Sequence, residues 1–374
     1  MKISKLRNDL VSLGLGNNLD LAALLYLAAT VRKTKYKISV LITGPAGLGK
    51  SYLAKKVLDL FPPEDILSRS RITPASLVRQ GDLSGKILFI YEKYKDPQFA
   101  QYIRELISEG EVTYSTANTE YVLRGPTTLI ETTVNSEIFG IENRSRCFVA
   151  GLNTSQEVRE DILCRQKSLR TAKGFVSERT AKSLQDEHCV FQKNLNHNLA
   201  VSIPFAEQIK FCASPYHAPR IMDRILNLIS AIAFLNQDQR NKEADGETKY
   251  IEATCDDFYE AKQILTGVHI DEDEAALTRD LVEFIDFLRQ HKGELKQNGS
   301  FTRSQVKAVA VESSRFKNYN VTAKYFKKLS ALGFINELAV RGLKNRIDYS
   351  FTNDFPVGAV DNLLANCYST LSLS

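Results

Sequence analysis

Several arrangements are missing from this 374-residue sequence, and each absence excludes a class of protein. The six cysteines show no CxxC spacing, which argues against a zinc site and favours buried thiols in a reducing cytosol. No apolar run reaches the ~20 residues that span a bilayer, and the N-terminal residues lack the apolar core of a signal peptide. We therefore expect a cytoplasmic protein without a membrane partner.

The positive charge is concentrated toward the C-terminus. The formal net charge is +5, but residues 289–346 alone hold 13 Lys or Arg against three acidic residues. This segment carries +10 and the remainder carries −5. A basic C-terminal module on a mildly acidic body predicts a polyanion partner for that module only.

Residues 38–53 have the pattern of a phosphate-binding loop. An apolar run leads into a turn that fits G-x-x-x-x-G-K-S/T, and a helical pattern follows. Glycines permit positive φ angles, and amides of the turn and of the next helix point at an anion. Lys50 suits the β- and γ-phosphates of ATP, and the Ser51 hydroxyl suits a Mg²⁺ ligand. The predicted nucleotide-binding residues are Gly44, Pro45, Ala46, Gly47, Leu48, Gly49, Lys50 and Ser51.

A second stretch, residues 85–92, predicts a buried strand that ends in an acidic residue. Glu92 is the candidate that orients or deprotonates the attacking water; the alternative is a solvated acid at a strand end. Nucleotide sites usually place another acid directly before it, to hold the shell of the metal. Here that residue is Tyr91, which has no carboxylate. Either Ser51 and water suffice for Mg²⁺, or hydrolysis is weak.

A helix, a hairpin and another buried strand are predicted next. The helix opens at Asp96, residues 111–123 alternate about a polar centre, and residues 127–134 form the strand. The hairpin either has a function of its own or decorates the sheet. At the end of the last strand, Thr133 is the candidate to contact the γ-phosphate or the lytic water, with Asn135 second.

Two later arginines are candidates for the nucleotide site. Arg146 precedes a last strand, which suits a finger that reaches a neighbouring subunit's nucleotide; Arg144 is the alternative, and a surface salt bridge is the simpler interpretation. Arg220 opens an amphipathic helix. This resembles the lids of AAA+ ATPases, which often place an arginine above the nucleotide, and the resemblance implies that Arg220 is a second sensor. Arg224, one turn later, is its alternative.

The last third of the chain predicts a winged helix. A candidate recognition helix spans residues 320–329, and two strands around residues 341–345 would form the wing. Basic side chains on one helix face neutralise phosphates, which gives salt-dependent DNA affinity without base specificity. The alternative is a winged helix used only for protein contacts. The predicted DNA-binding residues are Lys324, Lys327, Lys328, Arg341 and Lys344.

Together these patterns predict an α/β fold: a phosphate-loop parallel sheet flanked by helices, with a helical lid and a C-terminal winged helix, an order of elements that resembles AAA+ ATPases. The predicted segments are an N-terminal helical segment (1–36), an ATPase core (37–200), the lid (201–270), the winged helix (271–353) and a tail (354–374).

The ordered set of motifs resembles the AAA+ ATPase module that follows a zinc-finger DNA primase domain in proteins of bacterial mobile elements and prophages. It is more distantly similar to minichromosome-maintenance-type helicases. The likeness covers about residues 15–352. The segments that carry it are residues 43–51, 87–92, 108–112, 131–133, 143–147 and 231–237.

The resemblance implies an ATP-dependent DNA helicase or translocase that serves replication of such an element. It also implies a homo-oligomeric ring, a hexamer in some members with the hairpin facing the pore, and a primase or another replication protein as partner. Tyr91 departs from the family pattern, and no zinc-finger primase region is present. Two alternatives stay open: an ATP-gated DNA-binding regulator without efficient hydrolysis, and a remodeller of a protein partner in transposition or transcription.

Overall fold

The computed structural model describes most of the chain, which divides into two compact units. The N-terminal unit comprises Met1–Ile209, Arg220–Asp271 and Leu373–Ser374, and the C-terminal unit comprises Lys210–Pro219 and Glu272–Ser372. The predicted N-terminal helical segment and most of the predicted lid therefore share one unit with the phosphate-loop motif. The described residues are 1–91, 96–115, 119–125, 128–134, 141–210, 218–268, 279–295, 300–312, 325–327, 329–330, 335–339, 347–351 and 371–373.

A five-stranded parallel sheet forms the centre of the N-terminal unit. Its order is β2-β3-β6-β1-β7, so β6 lies between the strand before the phosphate loop and the strand before Tyr91. Strands β1, β3 and β6 are buried along their whole length, as expected for a parallel sheet with both faces covered. The strands before residue 260 are β1 (Val40–Thr43), β2 (Ile66–Arg69), β3 (Ile87–Ile90), β4 (Glu111–Ser115), β5 (Glu120–Arg124), β6 (Thr128–Thr132), β7 (Phe148–Gly151), β8 (Ala200–Ser202), β9 (Ile209–Lys210), β10 (Glu243–Asp245) and β11 (Thr248–Glu252).

Helices flank this sheet, and several begin where the sequence predicts. The side chains of Thr73 and Asp96 accept hydrogen bonds from backbone N–H groups in the first turns of their helices, which satisfies donors that a helix start leaves unpaired. Among the described helices, none is long and apolar enough to cross a membrane. The helices are α1 (Ile3–Ser12), α2 (Leu19–Thr30), α3 (Lys50–Leu58), α4 (Pro74–Val78), α5 (Pro97–Ser108), α6 (Ile141–Arg144), α7 (Gln156–Ser168), α8 (Ala172–Asn194), α9 (Ala218–Leu235) and α10 (Cys255–Gly267).

The predicted hairpin is present as the antiparallel pair of β4 and β5. Tyr114 lies opposite Tyr121 in the register, and their ring centroids are 6.4 Å apart. Tyr114 also contacts Tyr102 of α5 at 6.4 Å, so aromatic packing holds the hairpin on the preceding helix. The centre of the hairpin, residues 116–118, lies outside the described residues.

A buried ion pair follows α2. Arg32 is fully buried, and its guanidinium donates to the Asp65 carboxylate at 2.9 and 2.7 Å. It also donates to the Ala29 carbonyl at 3.1 Å and to the side-chain oxygen of Gln192, on α8, at 3.0 Å. Lys33 reaches the same carboxylate at 2.9 Å but is 40% exposed. This cluster joins the end of α2 to α8 and to the short 3₁₀ helix Pro63–Asp65.

The C-terminal unit has its own apolar core beneath a three-stranded antiparallel sheet of order β12-β14-β13. Phe284, Phe301, Phe326 and Tyr349 are among the side chains buried in this core. Lys327 is exposed beside buried Phe326, whereas the other four predicted DNA-binding residues lie outside the described part of the chain. The elements described here are α11 (Arg279–Gln290), α12 (Lys292–Leu295), β12 (Phe301–Thr302), α13 (Arg303–Glu312), β13 (Ile335–Ala339), β14 (Ile347–Phe351) and β15 (Ser372–Leu373).

Candidate nucleotide-binding site

The glycine-rich turn connects the buried strand β1 to α3, in the strand–turn–helix context that the motif requires. Gly44, Gly47 and Gly49 have φ angles of 136°, 81° and 88°, which side-chain-bearing residues rarely adopt. A Cβ atom at each of the three would meet nothing within 4 Å, so the backbone conformation, and not lack of space, requires glycine. Gly49 is the N-cap of α3 and has no side chain to cap it, so the amides of the first turn suit an anion.

Lys50, the first residue of α3, folds back onto the loop. Its Nζ atom donates to the Gly44 carbonyl at 2.6 Å and to the Pro45 carbonyl at 2.8 Å. The side chain is largely buried, and burial lowers the pKa of its amine. The motif lysine therefore lies within the turn, held by two neutral acceptors.

The hydroxyl groups of Ser51 and Thr132 lie 3.3 Å apart. Thr132 is the last residue of β6, whose end is joined to β1 by a bond from the Thr133 amide to the Ile42 carbonyl at 2.9 Å. The buried residue Thr133 is the predicted γ-phosphate contact, and Asn135 lies outside the described residues. Thr132 was not among the predicted site residues. The alternation of side chains along a strand indicates that Thr132 and Thr133 face opposite sides of the sheet, but not which of the two faces Ser51.

Tyr91, directly after β3, contacts α3, the helix that follows the glycine-rich turn. The Nζ atom of Lys55, on α3, lies 4.3 Å from the centre of the Tyr91 ring, and the Phe89 ring lies 5.5 Å away. A bond from the Tyr91 amide to the Arg69 carbonyl at 3.1 Å holds its backbone beside β2. The residue where a metal-binding acid was expected is thus an aromatic ring under a lysine. Glu92, the predicted base, lies outside the described residues.

The donors at these strand ends can be compared with what Mg²⁺ requires. Proteins hold Mg²⁺ through one or two carboxylates together with phosphate oxygens and water. Ser51 and Thr132 have neutral hydroxyl oxygens, and Tyr91 has no carboxylate. Nowhere in the described part of the chain do three His, Cys, Asp or Glu side chains form a metal-binding group. Among the described side chains that face α3 here, only neutral hydroxyl oxygens could bind a metal, so this part of the site supplies no carboxylate to Mg²⁺.

The candidate finger arginines lie in the turn between α6 and β7. Arg144 ends α6, Arg146 follows two residues later, and both are partly buried. The Asn143 side chain donates to the Ala100 carbonyl at 2.8 Å, and the Arg146 amide donates to the Asn143 carbonyl at 3.1 Å. This turn is therefore anchored on α5 by a buried amide.

The two candidate second sensors differ in their surroundings. Arg220 is exposed, and its guanidinium donates to the hydroxyl of Ser145, in the turn that also holds Arg144 and Arg146. Arg224 is buried; it donates to the Cys147 carbonyl and lies 5.3 Å from the centre of the Phe148 ring. Arg224 therefore fixes the start of β7, whereas the side chain of Arg220 is exposed to solvent.

Comparison with known proteins adds no family to this picture. The sequence matches no protein-family model, and no curated protein is significantly similar to it. The interpretation of the site therefore depends on the loop, on the strand ends beside it and on their chemistry.

Proposed function

We propose that this chain binds ATP in the turn between β1 and α3 and uses its hydrolysis to translocate along or open DNA, as an AAA+ helicase or translocase. The observation that carries the proposal is the turn itself. Three glycines with positive φ lie in the turn after a buried parallel strand, and the motif lysine donates to the Gly44 and Pro45 carbonyls of that turn. This arrangement suits a polyphosphate better than any other ligand class.

In this proposal the Lys50 amine exchanges its two carbonyl acceptors for phosphate oxygens, while the first amides of α3 donate to the same group. The γ-phosphate contact is proposed for Thr133 or for its neighbour Thr132, because the end of β6 lies directly beside β1 and alternation turns only one of the two toward the nucleotide. Glu92 is proposed to activate water and Arg146 to act on a neighbouring subunit's nucleotide. These assignments extend the family resemblance and imply a homo-oligomeric ring.

We also propose that the C-terminal unit is a winged helix and that its partner is DNA. Two features support this: helices packed on a three-stranded antiparallel sheet, and the net charge of +10 over residues 289–346. Lys327 is exposed on the helical stretch that buries Tyr325 and Phe326, so its amine is available to a phosphate.

The decisive experiment replaces Lys50 with alanine. Lys50→Ala should abolish ATP turnover and weaken ATP binding while the circular dichroism spectrum is retained. Lys56→Ala is the matched control, because Lys56 lies on the same helix but contacts the Tyr52 ring, 5.8 Å away, and not the loop. Unchanged turnover in Lys50→Ala would refute the assignment of the loop.

One observation favours a second candidate, an ATP-gated DNA-binding regulator without efficient hydrolysis. Tyr91 and Lys55 occupy the place of the expected metal-binding acid. ATP turnover measured with and without single-stranded or forked DNA separates the two candidates. A motor is expected to be stimulated by DNA, whereas the regulator should bind ATP and DNA with negligible turnover in either condition.

A further inference from the structure

We propose that the site binds ATP with little dependence on a divalent cation, because the Tyr91 ring, with Lys55 above it, stands where a magnesium site has the first of its two acids. The inference rests on the proposed nucleotide-binding function and concerns what that same site requires.

The first support is the composition of the sheet face under α3. Ser51 and Thr132 meet on this face, and Lys55 reaches Tyr91 on it from one turn further along α3. The end of β6 thus contributes a hydroxyl and the end of β3 an aromatic ring. The Glu131 carboxylate, one residue before Thr132, belongs to the opposite face, because successive side chains of a strand alternate.

The second support is the charge. Lys50 and Lys55 place two ammonium groups on the first two turns of α3, and the uncapped amides of that helix add a partial positive charge. A carboxylate at position 91 would attract a divalent cation to this face, whereas an aromatic ring attracts a lysine by cation–π interaction. The two ammonium groups and the start of α3 therefore offset part of the negative charge of a triphosphate without a metal ion.

The test is the affinity of the intact chain for ATP, measured by isothermal titration calorimetry in excess magnesium and in excess EDTA. We expect the two dissociation constants to agree within about tenfold, a difference of roughly 1.4 kcal/mol. Tyr91→Asp should create a paired acid with Glu92 and raise the magnesium-to-EDTA affinity ratio by about tenfold or more. Tyr91→Phe keeps the ring under Lys55 and should leave the ratio as in the parent chain.

Each outcome decides the matter. A loss of more than about tenfold in EDTA would overturn the inference and leave the nucleotide-binding function intact. A ratio unchanged in a folded Tyr91→Asp variant would overturn the assignment to position 91. No ATP binding in either condition would overturn the proposed function, and this inference with it. If Tyr91→Asp fails to fold, the parent chain's ratio alone decides.

Discussion

The buried ion pair of Arg32 and Asp65 gives a prediction with a built-in control. Arg32 is fully buried and donates two hydrogen bonds to the carboxylate, whereas Lys33 approaches the same carboxylate from a side chain that is 40% exposed. Asp65→Asn should leave the Arg32 charge buried without its counter-ion. Breaking a buried pair in this way costs about 3–5 kcal/mol, a large part of a total stability of about 5–15 kcal/mol.

Lys33→Met removes the other partner of Asp65 and should cost only about 0–1 kcal/mol, because an exposed ion pair contributes little. Urea denaturation followed by far-UV circular dichroism measures both variants; the chain has no tryptophan to report by fluorescence. Hydrogen exchange of the α2 amides reports on the same unit. Equal costs for Asp65→Asn and Lys33→Met, or a cost below about 1 kcal/mol for the first, would refute the reasoning from burial.

The pH dependence of this pair follows from its geometry. Burial alone raises the pKa of Asp65, but the hydrogen bonds from Lys33 and Arg32 outweigh it, so the net pKa lies below the ordinary value of 3.8. The stabilisation is therefore present above that value and is lost as the pH falls through the folded-state pKa. The difference between the parent chain and Asp65→Asn should shrink in the same acidic range.

Three further predictions concern single sites. Gly49→Ala should lower the free energy of unfolding by roughly 1–2 kcal/mol, because its φ is positive, and should also weaken ATP binding. Gly246→Ala is the control: with a φ of 59° in the turn between β10 and β11, it should lower stability alone. Arg220→Ala should leave the urea midpoint unchanged and lower ATP turnover. Arg224→Ala removes a buried donor and should lower the free energy of unfolding by about 1–3 kcal/mol, and the urea midpoint with it. Burial lowers the pKa of His197 to about 4 from an ordinary 6.5. Between pH 6.5 and about pH 4, this histidine is therefore protonated in the unfolded chain and neutral in the folded chain. Stability should therefore fall as the pH drops through this range, and less so in His197→Phe, by comparison of urea midpoints.

Local patterns predicted much of the N-terminal unit. The buried strand before the loop, the helix after it, and the caps at Thr73 and Asp96 depend on residues a few positions apart, and the structure has all of them. The hairpin of β4 and β5 was likewise predicted from alternation. The α/β class with a parallel sheet is confirmed, while the winged helix and the lid stay predictions.

Contacts between distant segments could not be predicted in this way. Thr132 meets Ser51 across 81 positions, and Arg32 meets Gln192 across 160. Gln192 is fully buried, and its side-chain oxygen accepts from that guanidinium. A polar side chain is buried at low cost only where it has a hydrogen-bond partner, and the position of that partner depends on the whole fold.

The contacts of Lys50 with the Gly44 and Pro45 carbonyls have a thermodynamic consequence. An ammonium group has three N–H donors, and two of those of Lys50 must leave a carbonyl before they can bond a ligand. Association with a triphosphate should then release less heat from this side chain than an amine without these contacts would give. Discrimination between nucleotides with different numbers of phosphates would then depend on the groups around Lys50.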